Sequence, residues 1–186
     1  MPKLLNKTMS KNIFETTANQ KLLADFPHRN PNSLAKLNKV VINYRVSEGR
    51  ESQEALAAAE TEIIAISGQK PKLCRSKKSI ATFKLRQGEP LAYKVTLRGL
   101  RMYHFIEKLF NIVLPRLRDF KGMSNNGFDQ DGNYSLTIKD QTYFPEINLD
   151  KINKIRSVQI TMNISASSKS EAKMLLSALG FPFEKK

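Results

Sequence analysis

LNKVVINYRV, Leu37 to Val46, decides the architecture of this chain. Val40, Ile42, Tyr44 and Val46 fall on one side of an extended backbone, and Lys39, Asn43 and Arg45 fall on the other, because successive strand side chains face opposite ways. The same period returns in three later segments. Leu91, Tyr93, Val95 and Leu97 oppose Lys94, Thr96 and Arg98; Tyr134, Leu136 and Ile138 oppose Ser135, Thr137 and Lys139; Val158, Ile160, Met162 and Ile164 oppose Gln159, Thr161, Asn163 and Ser165. Four segments with one apolar and one polar face predict a largely antiparallel sheet, open to water on one side.

Three other segments carry the helical period. Leu56, Ala59, Ile63 and Ile66 make one stripe, ended by Gly68 in a left-handed cap. Met102, Phe105, Ile106, Leu109, Phe110 and Val113 make a second, stopped by Pro115. Ala172, Leu175, Leu176 and Leu179 make a third, which opens on the capping box Ser168-x-x-Glu171 and closes at Gly180. Helices laid over the apolar face give a two-layer α+β fold, a mostly antiparallel sheet with helices on one face and a long basic loop. Residues 1–33 read as an N-terminal helix, to about Phe26, and a proline-rich linker; residues 34–186 read as a single α+β domain. The connection from Phe144 to Ser157 reads as irregular.

Charge narrows the function. Lys plus Arg total 31 against 17 Asp plus Glu, a net charge of +14. That field favours a polyanion, nucleic acid first and an acidic membrane surface second. The basic residues cluster in a loop and on a sheet face, not along one amphipathic helix, which argues against the membrane. No apolar run approaches the ~18 residues of a bilayer span, and the first residues, MPKLLNKTMSKN, lack the long apolar core of a secretory signal. The single cysteine, Cys74, excludes an internal disulfide and a multi-cysteine zinc site.

GQKPKLCRSKKSIATFKLRQG, Gly68 to Gly88, carries seven cations and no acid. Seven unpaired cations cannot be desolvated, so the stretch is not a buried strand throughout. Two readings stand: a solvated hairpin whose charges blunt an exposed sheet edge, or a mobile basic loop, swinging on its terminal glycines, that docks on phosphates and releases their counterions. Phe83 within it is a candidate to stack on an unpaired base. The absence of acid over such a length favours the second.

IAISGQKP (Ile64–Pro71), KSIATFKLRQGEP (Lys78–Pro90), KVTLRG (Lys94–Gly99), PRLRDFKGMS (Pro115–Ser124), FDQDGNYSLTIKDQTYFPEI (Phe128–Ile147) and ALGFPF (Ala178–Phe183) occur in that order. From about Lys36 onward the chain resembles bacterial-type ribosomal protein family five of the large subunit, the family that binds 5S rRNA. The resemblance implies a structural protein without catalytic activity or cofactor, sited on the ribosome of a bacterial cytoplasm or of an organelle, plastid stroma or mitochondrion. It implies a place in the central protuberance, against 5S rRNA, large-subunit rRNA, neighbouring large-subunit proteins, peptidyl-site tRNA and a small-subunit head protein. By motif position, Asn43, Gln69, Thr96 and Arg98 meet 5S rRNA, joined on the polar face by Lys39 and Lys94. Lys72, Arg75, Lys77, Lys78, Lys84 and Arg86 form the tRNA-facing loop. Arg116, Arg118, Asp129 and Asn133 belong to the inter-subunit bridge. Two departures from the family pattern stand out. Arg45 and Ser47 replace glycines of a turn after the first strand, and Asp131 replaces a frequent basic residue.

The competing class is an RNA-modifying or RNA-cleaving enzyme with a basic substrate groove. A catalytic Cys74 needs a positioned base, and His28 and His104 form no partner motif with it. Glu146 and Asp150 as a hydrolytic pair, or Asp129 and Asp131 as part of a calcium loop, lack the rest of their constellations. No metal site is expected.

Overall fold

The computed structural model describes residues 22, 30, 33–46, 52–118, 120–149, 152 and 154–184. The helix expected up to Phe26 lies outside these residues except for Leu22, which is helical and buried. The element order is β1 (Lys36–Arg45), α1 (Gln53–Ser67), β2 (Lys72–Arg75), β3 (Pro90–Leu97), α2 (Gly99–Lys108), β4 (Tyr134–Ile138), β5 (Val158–Ser165) and α3 (Lys169–Ala178). The fold is α+β, a five-stranded antiparallel sheet in the order β2-β3-β1-β5-β4 with three α-helices among the described residues.

The chain divides into two compact units. One draws on residues 41–96 and 137–160. Its strand segments bury Ile42, Tyr44, Tyr93, Val95, Ile138, Val158 and Ile160, and α1 buries Ala59, Ile63 and Ile66. Ser52 caps α1 by accepting a hydrogen bond from Ala55 N at 3.2 Å. Gly68 ends it at φ 65°, with its N–H on Ile64 O at 2.8 Å. The described residues of the connection from Phe144 to Ser157 form no α-helix or strand, as expected, yet Arg156 among them joins a buried polar cluster. The Tyr44 hydroxyl donates to Glu62 Oε2, and Arg156 Nη1 reaches both Glu62 oxygens at 3.2 Å. Arg156 is itself held by its backbone N–H on Gln141 Oε1, while Gln141 Nε2 donates to Lys154 O at 2.7 Å. An ion pair this deeply buried persists because each member also has hydrogen bonds. Burial pushes the Tyr44 phenol well above its ordinary range, reinforced by the Glu62 carboxylate.

The other unit draws on residues within 1–40, 97–136 and 161–186. The apolar stripe expected to form one helix up to Pro115 is split: α2 ends at Lys108, Leu109–Val113 widen into a π turn, and Leu114–Arg116 form a 3-10 turn. Leu109, Phe110 and Val113 stay buried through the change. Ser168 caps α3 by accepting from Glu171 N at 3.3 Å. The reciprocal half of the expected capping box is different. The fully buried Glu171 carboxylate accepts from Ser167 N at 3.0 Å and from Ala35 N at 3.1 Å, so it ties the start of α3 to the residue before β1. The C-terminal Phe181 and Phe183 pack edge-to-face, with ring centroids 4.7 Å apart, and Phe181 lies 5.0 Å from both Phe110 and Tyr134. Met123 bridges to Phe183, and Gly122 at φ 109° permits the approach: a Cβ there would stand 2.5 Å from Glu184 Cα.

Arg156→Met is expected to cost about 3–5 kcal/mol in urea unfolding, since it strands the Glu62 carboxylate, whereas Glu62→Leu with Arg156→Met recovers most of that loss. A double variant as unstable as the single one contradicts this account of the cluster. Burial also pushes the Tyr134 phenol from 10.0 up to about 12. The unfolded chain therefore releases this proton first. The stability that Tyr134 contributes is constant below pH 10 and drops as pH climbs towards 12. Tyr134→Phe flattens that alkaline slope, at a cost of about 1 kcal/mol at neutral pH for the hydrogen bond to Ser124 O; equal slopes for both proteins refute the assignment.

Candidate nucleic-acid interface

Burial alternates along β4 and β5, along β1 from Val40 and along β3 from Tyr93, with the phase read from the sequence. In the unit of residues 41–96 and 137–160, Asn43, Lys94 and Thr96 lie opposite the buried set, Lys94 exposed and the other two half-buried. Tyr44 meets Glu62 of α1 on the dry side. Asn43, one residue earlier, therefore projects to the wet side, where its Nδ2 donates to Gln159 Oε1 at 3.5 Å. Gln159, exposed on β5, was not singled out as a site residue in the sequence, although its alternation already placed it on this face. Gln69 follows the α1 cap, and its Nε2 donates to Thr96 O at 3.5 Å. The structure thus brings Gln69 to Thr96. In the other unit Lys39 is half-buried and Arg98 exposed, the latter in the extended residue that precedes α2.

The basic stretch is a hairpin with its own hydrogen bonds, which corrects the picture of a loop swinging on two glycines. β2 pairs antiparallel to β3, with Lys72 opposite Lys94 and Leu73 opposite Tyr93. Beyond the strands, Ser76 N donates to Glu89 O at 2.8 Å and Gly88 N to Ser76 O at 3.0 Å. Ile80 and Leu85 close the tip around a 3-10 turn, Ala81–Phe83, with Lys84 at φ 49°. Gly68 is fixed in the α1 cap and Gly88 in the hairpin ladder.

The six expected loop cations are all exposed. Arg75 turns back to donate to Gly88 O at 3.0 Å, and Arg86 N donates to Glu89 Oε2 at 3.1 Å. Lys72, Lys77, Lys78 and Lys84 lie along the hairpin surface, and Phe83 at the tip is 69% exposed. Lys72 facing Lys94 sets two like charges directly opposite each other across a strand pair, an arrangement that disfavours folding and favours an anion laid over both.

The residues expected at the inter-subunit bridge separate into two kinds. Arg116 and Arg118 are exposed. Asp129 and Asn133 bond to their own turn: Asp129 Oδ1 accepts from Asp131 N at 3.0 Å and Asn133 N at 2.8 Å, and Oδ2 accepts from Asn133 Nδ2 at 2.8 Å. Asn133 Oδ1 in turn accepts from Asn163 Nδ2 at 2.7 Å and Ile164 N at 3.2 Å. The Asn133 side chain, ahead of the backbone N–H groups, holds the Asp129 carboxyl below its ordinary range.

The chemical alternatives do not assemble. Among the described residues no group of three or more His, Cys, Asp and Glu could hold a metal ion. Cys74 is half-buried on β2, His104 is exposed on α2, and His28 and Asp150 lie outside the described residues. No helix among the described residues is long and apolar enough to cross a membrane.

Comparison with known proteins agrees with this geometry. Residues 30–86 match the family model for ribosomal protein L5, and residues 90–183 match that for the C-terminus of the ribosomal L5P family. The large ribosomal subunit protein uL5 of Thermoanaerobacter sp. (strain X514) is 53% identical over 164 residues, 88% of this chain and 92% of the relative. The uL5 proteins of Acholeplasma laidlawii (strain PG-8A) and Prochlorococcus marinus (strain NATL1A) are 46% and 47% identical, over 94% and 95% of this chain and 97% and 98% of theirs. Matches of that identity, running through β1, the basic hairpin and the C-terminal aromatic segment, mean that the chain belongs to the ribosomal protein L5 (uL5) family.

Proposed function

We propose that this chain, a structural and non-enzymatic member of its family that works in the ribosome, holds 5S rRNA in the large subunit and steadies peptidyl-site tRNA with its basic hairpin. The observation that carries this reading is the hairpin's cation pair, Lys72 opposite Lys94. A folded protein keeps that repulsion where a phosphate offsets it. The short polar side chains Asn43, Gln69 and Thr96 suit the 2′-hydroxyls displayed in the shallow RNA minor groove. Lys39 and Arg98 add charge, and Arg98 can grip a phosphate with two parallel bonds. Lys72, Lys77, Lys78 and Lys84 face tRNA, with Arg75 and Arg86 buttressing the hairpin as well as adding to its field. Arg116 and Arg118 reach the small-subunit head protein, while Asp129 and Asn133 shape the turn presented beside it. Large-subunit rRNA and neighbouring proteins complete the surroundings.

Filter binding of 5S rRNA tests the phosphate contacts. With four or more of them, affinity falls roughly a hundredfold between about 50 and about 200 mM salt; a nearly flat response rules the model out. Arg98→Ala or Thr96→Ala is expected to weaken 5S rRNA binding by about tenfold, while Lys77→Ala with Lys78→Ala leaves it within about twofold. Equal losses would erase the division between sheet face and hairpin.

Lys94→Glu separates folding from function. It turns the facing cations into an opposite-charge pair and stabilises the protein by about 0.5 kcal/mol, yet weakens RNA binding by about tenfold or more. Thermal melts and filter binding on the same preparation decide it, and parallel losses in both would show Lys94 to be structural.

A further inference from the structure

The tip of the basic hairpin carries an aromatic ring that phosphate contacts leave unused. Phe83 ends the 3-10 turn Ala81–Phe83, a turn with no buried residue. It is 69% exposed, more than any other large apolar residue among those described. A single exposed apolar side chain is ordinary on a protein surface, but this one is presented in an unusual way.

Its backbone is held. Ile80 N donates to Leu85 O at 2.9 Å, Leu85 N to Ile80 O at 3.1 Å, Phe83 N to Ile80 O at 3.2 Å and Lys84 N to Ala81 O at 2.9 Å. The ring therefore stands on a closed, hydrogen-bonded frame. Lys84, directly after it, takes φ 49°, the one positive φ of a non-glycine residue among the described residues. A left-handed lysine costs backbone energy, and such costs persist at sites that position a contact. The setting is also cationic: Gly68 to Gly88 holds seven cations and no acid, and Lys77, Lys78 and Lys84 are exposed.

That charge selects what covers the ring. An aromatic anchor for a protein partner belongs in a patch depleted of charge, whereas this ring is flanked by lysines. A nucleotide matches both features, because its base offers a π-face and its phosphates suit the lysines.

We infer that Phe83 stacks on the open face of a nucleobase in the RNA that the hairpin meets. The inference rests on the reading that the hairpin faces tRNA, and it adds a second kind of contact. The lysines attract any run of phosphates and are screened by salt. The ring requires a base that is unstacked or ends a stack, so it restricts where the tip can settle, and salt does not screen it.

The chain contains no tryptophan, so Phe83→Trp places a single fluorophore at the tip. The purified full chain carrying it is titrated with deacylated tRNA and, separately, with inorganic polyphosphate. Both occupy lysines, and only tRNA brings bases. Stacking quenches the tryptophan emission with tRNA and not with polyphosphate. Filter binding of the same tRNA compares variants. Phe83→Trp keeps the affinity within about twofold, while Phe83→Ala and Phe83→Leu each weaken it about tenfold without changing its salt slope. Lys77→Ala with Lys78→Ala lowers that slope. The melting temperature and 5S rRNA affinity of the Phe83 variants stay unchanged.

Equal quenching by polyphosphate assigns the signal to charge and overturns the inference. Undiminished binding by Phe83→Leu replaces stacking with simple apolar contact and overturns it too. Full affinity in Phe83→Ala, with the lysine variant still weakened, overturns the stacking and leaves the hairpin's tRNA contact standing. Affinity indifferent to both the ring and the lysines shows that the hairpin does not meet tRNA, and removes the inference together with that reading.

Discussion

Everything in this molecule follows from strands that must keep one face dry. β4 and β5 bury every second residue without interruption, as do β1 from Val40 onward and β3 from Tyr93 onward. Each large apolar side chain taken out of water contributes about 1.5–3 kcal/mol, and a slip of one residue would turn the whole set outward. Register is therefore fixed by the core. The wet face inherits that precision: Asn43, Lys94 and Thr96 are held in place by the burial of Ile42, Tyr44, Tyr93, Val95 and Leu97 beside them. A surface aimed in this way can meet RNA with short side chains such as Asn and Thr, which have little reach to correct an error in position.

That dependence explains why so much of the fold was legible in the sequence. The two-residue period announces four strands, the 3.6-residue period announces three helices, and Gly68 announces the end of the first. What the sequence hid is long-range and polar. Nothing local pairs Arg156 with Glu62, 94 residues away, or sends the Glu171 carboxylate to Ala35 N, 136 residues away. A periodic reading assigns such residues to the solvent by type, and only the packed chain shows that they are buried. β2 was hidden for another reason. Lys72–Arg75 has no apolar alternation, and it becomes a strand because β3 offers it an edge.

The candidate site shows the same division. Residues on the wet face could be named by counting, since alternation alone assigns them. Asp129 and Asn133 could not be sorted that way, because a motif records that a residue is needed without recording for what. Their hydrogen bonds are spent on the turn between Asp129 and Asn133 and on β5. Asn133 joins that turn to the strand through Asn163 and Ile164. Their hydrogen bonds set the shape of the loop, while Arg116 and Arg118 are exposed.

The basic hairpin is where folding and function pull in opposite directions. Two lysines facing each other across β2 and β3 cost the free protein a few tenths of a kcal/mol or more, and nothing in the packing requires lysine at either exposed position. On the proposed reading the same field, concentrated on a hairpin braced by Ser76, Glu89 and Gly88, is offered to phosphate without first having to be ordered. Each tenfold in affinity corresponds to about 1.4 kcal/mol, so a small standing cost in folding is outweighed by one well-placed phosphate. Gly68 and Gly88 serve this arrangement as a cap and a ladder rung rather than as hinges, which leaves the hairpin's own hydrogen bonds, and not a swing of the whole loop, to set the direction in which its lysines point.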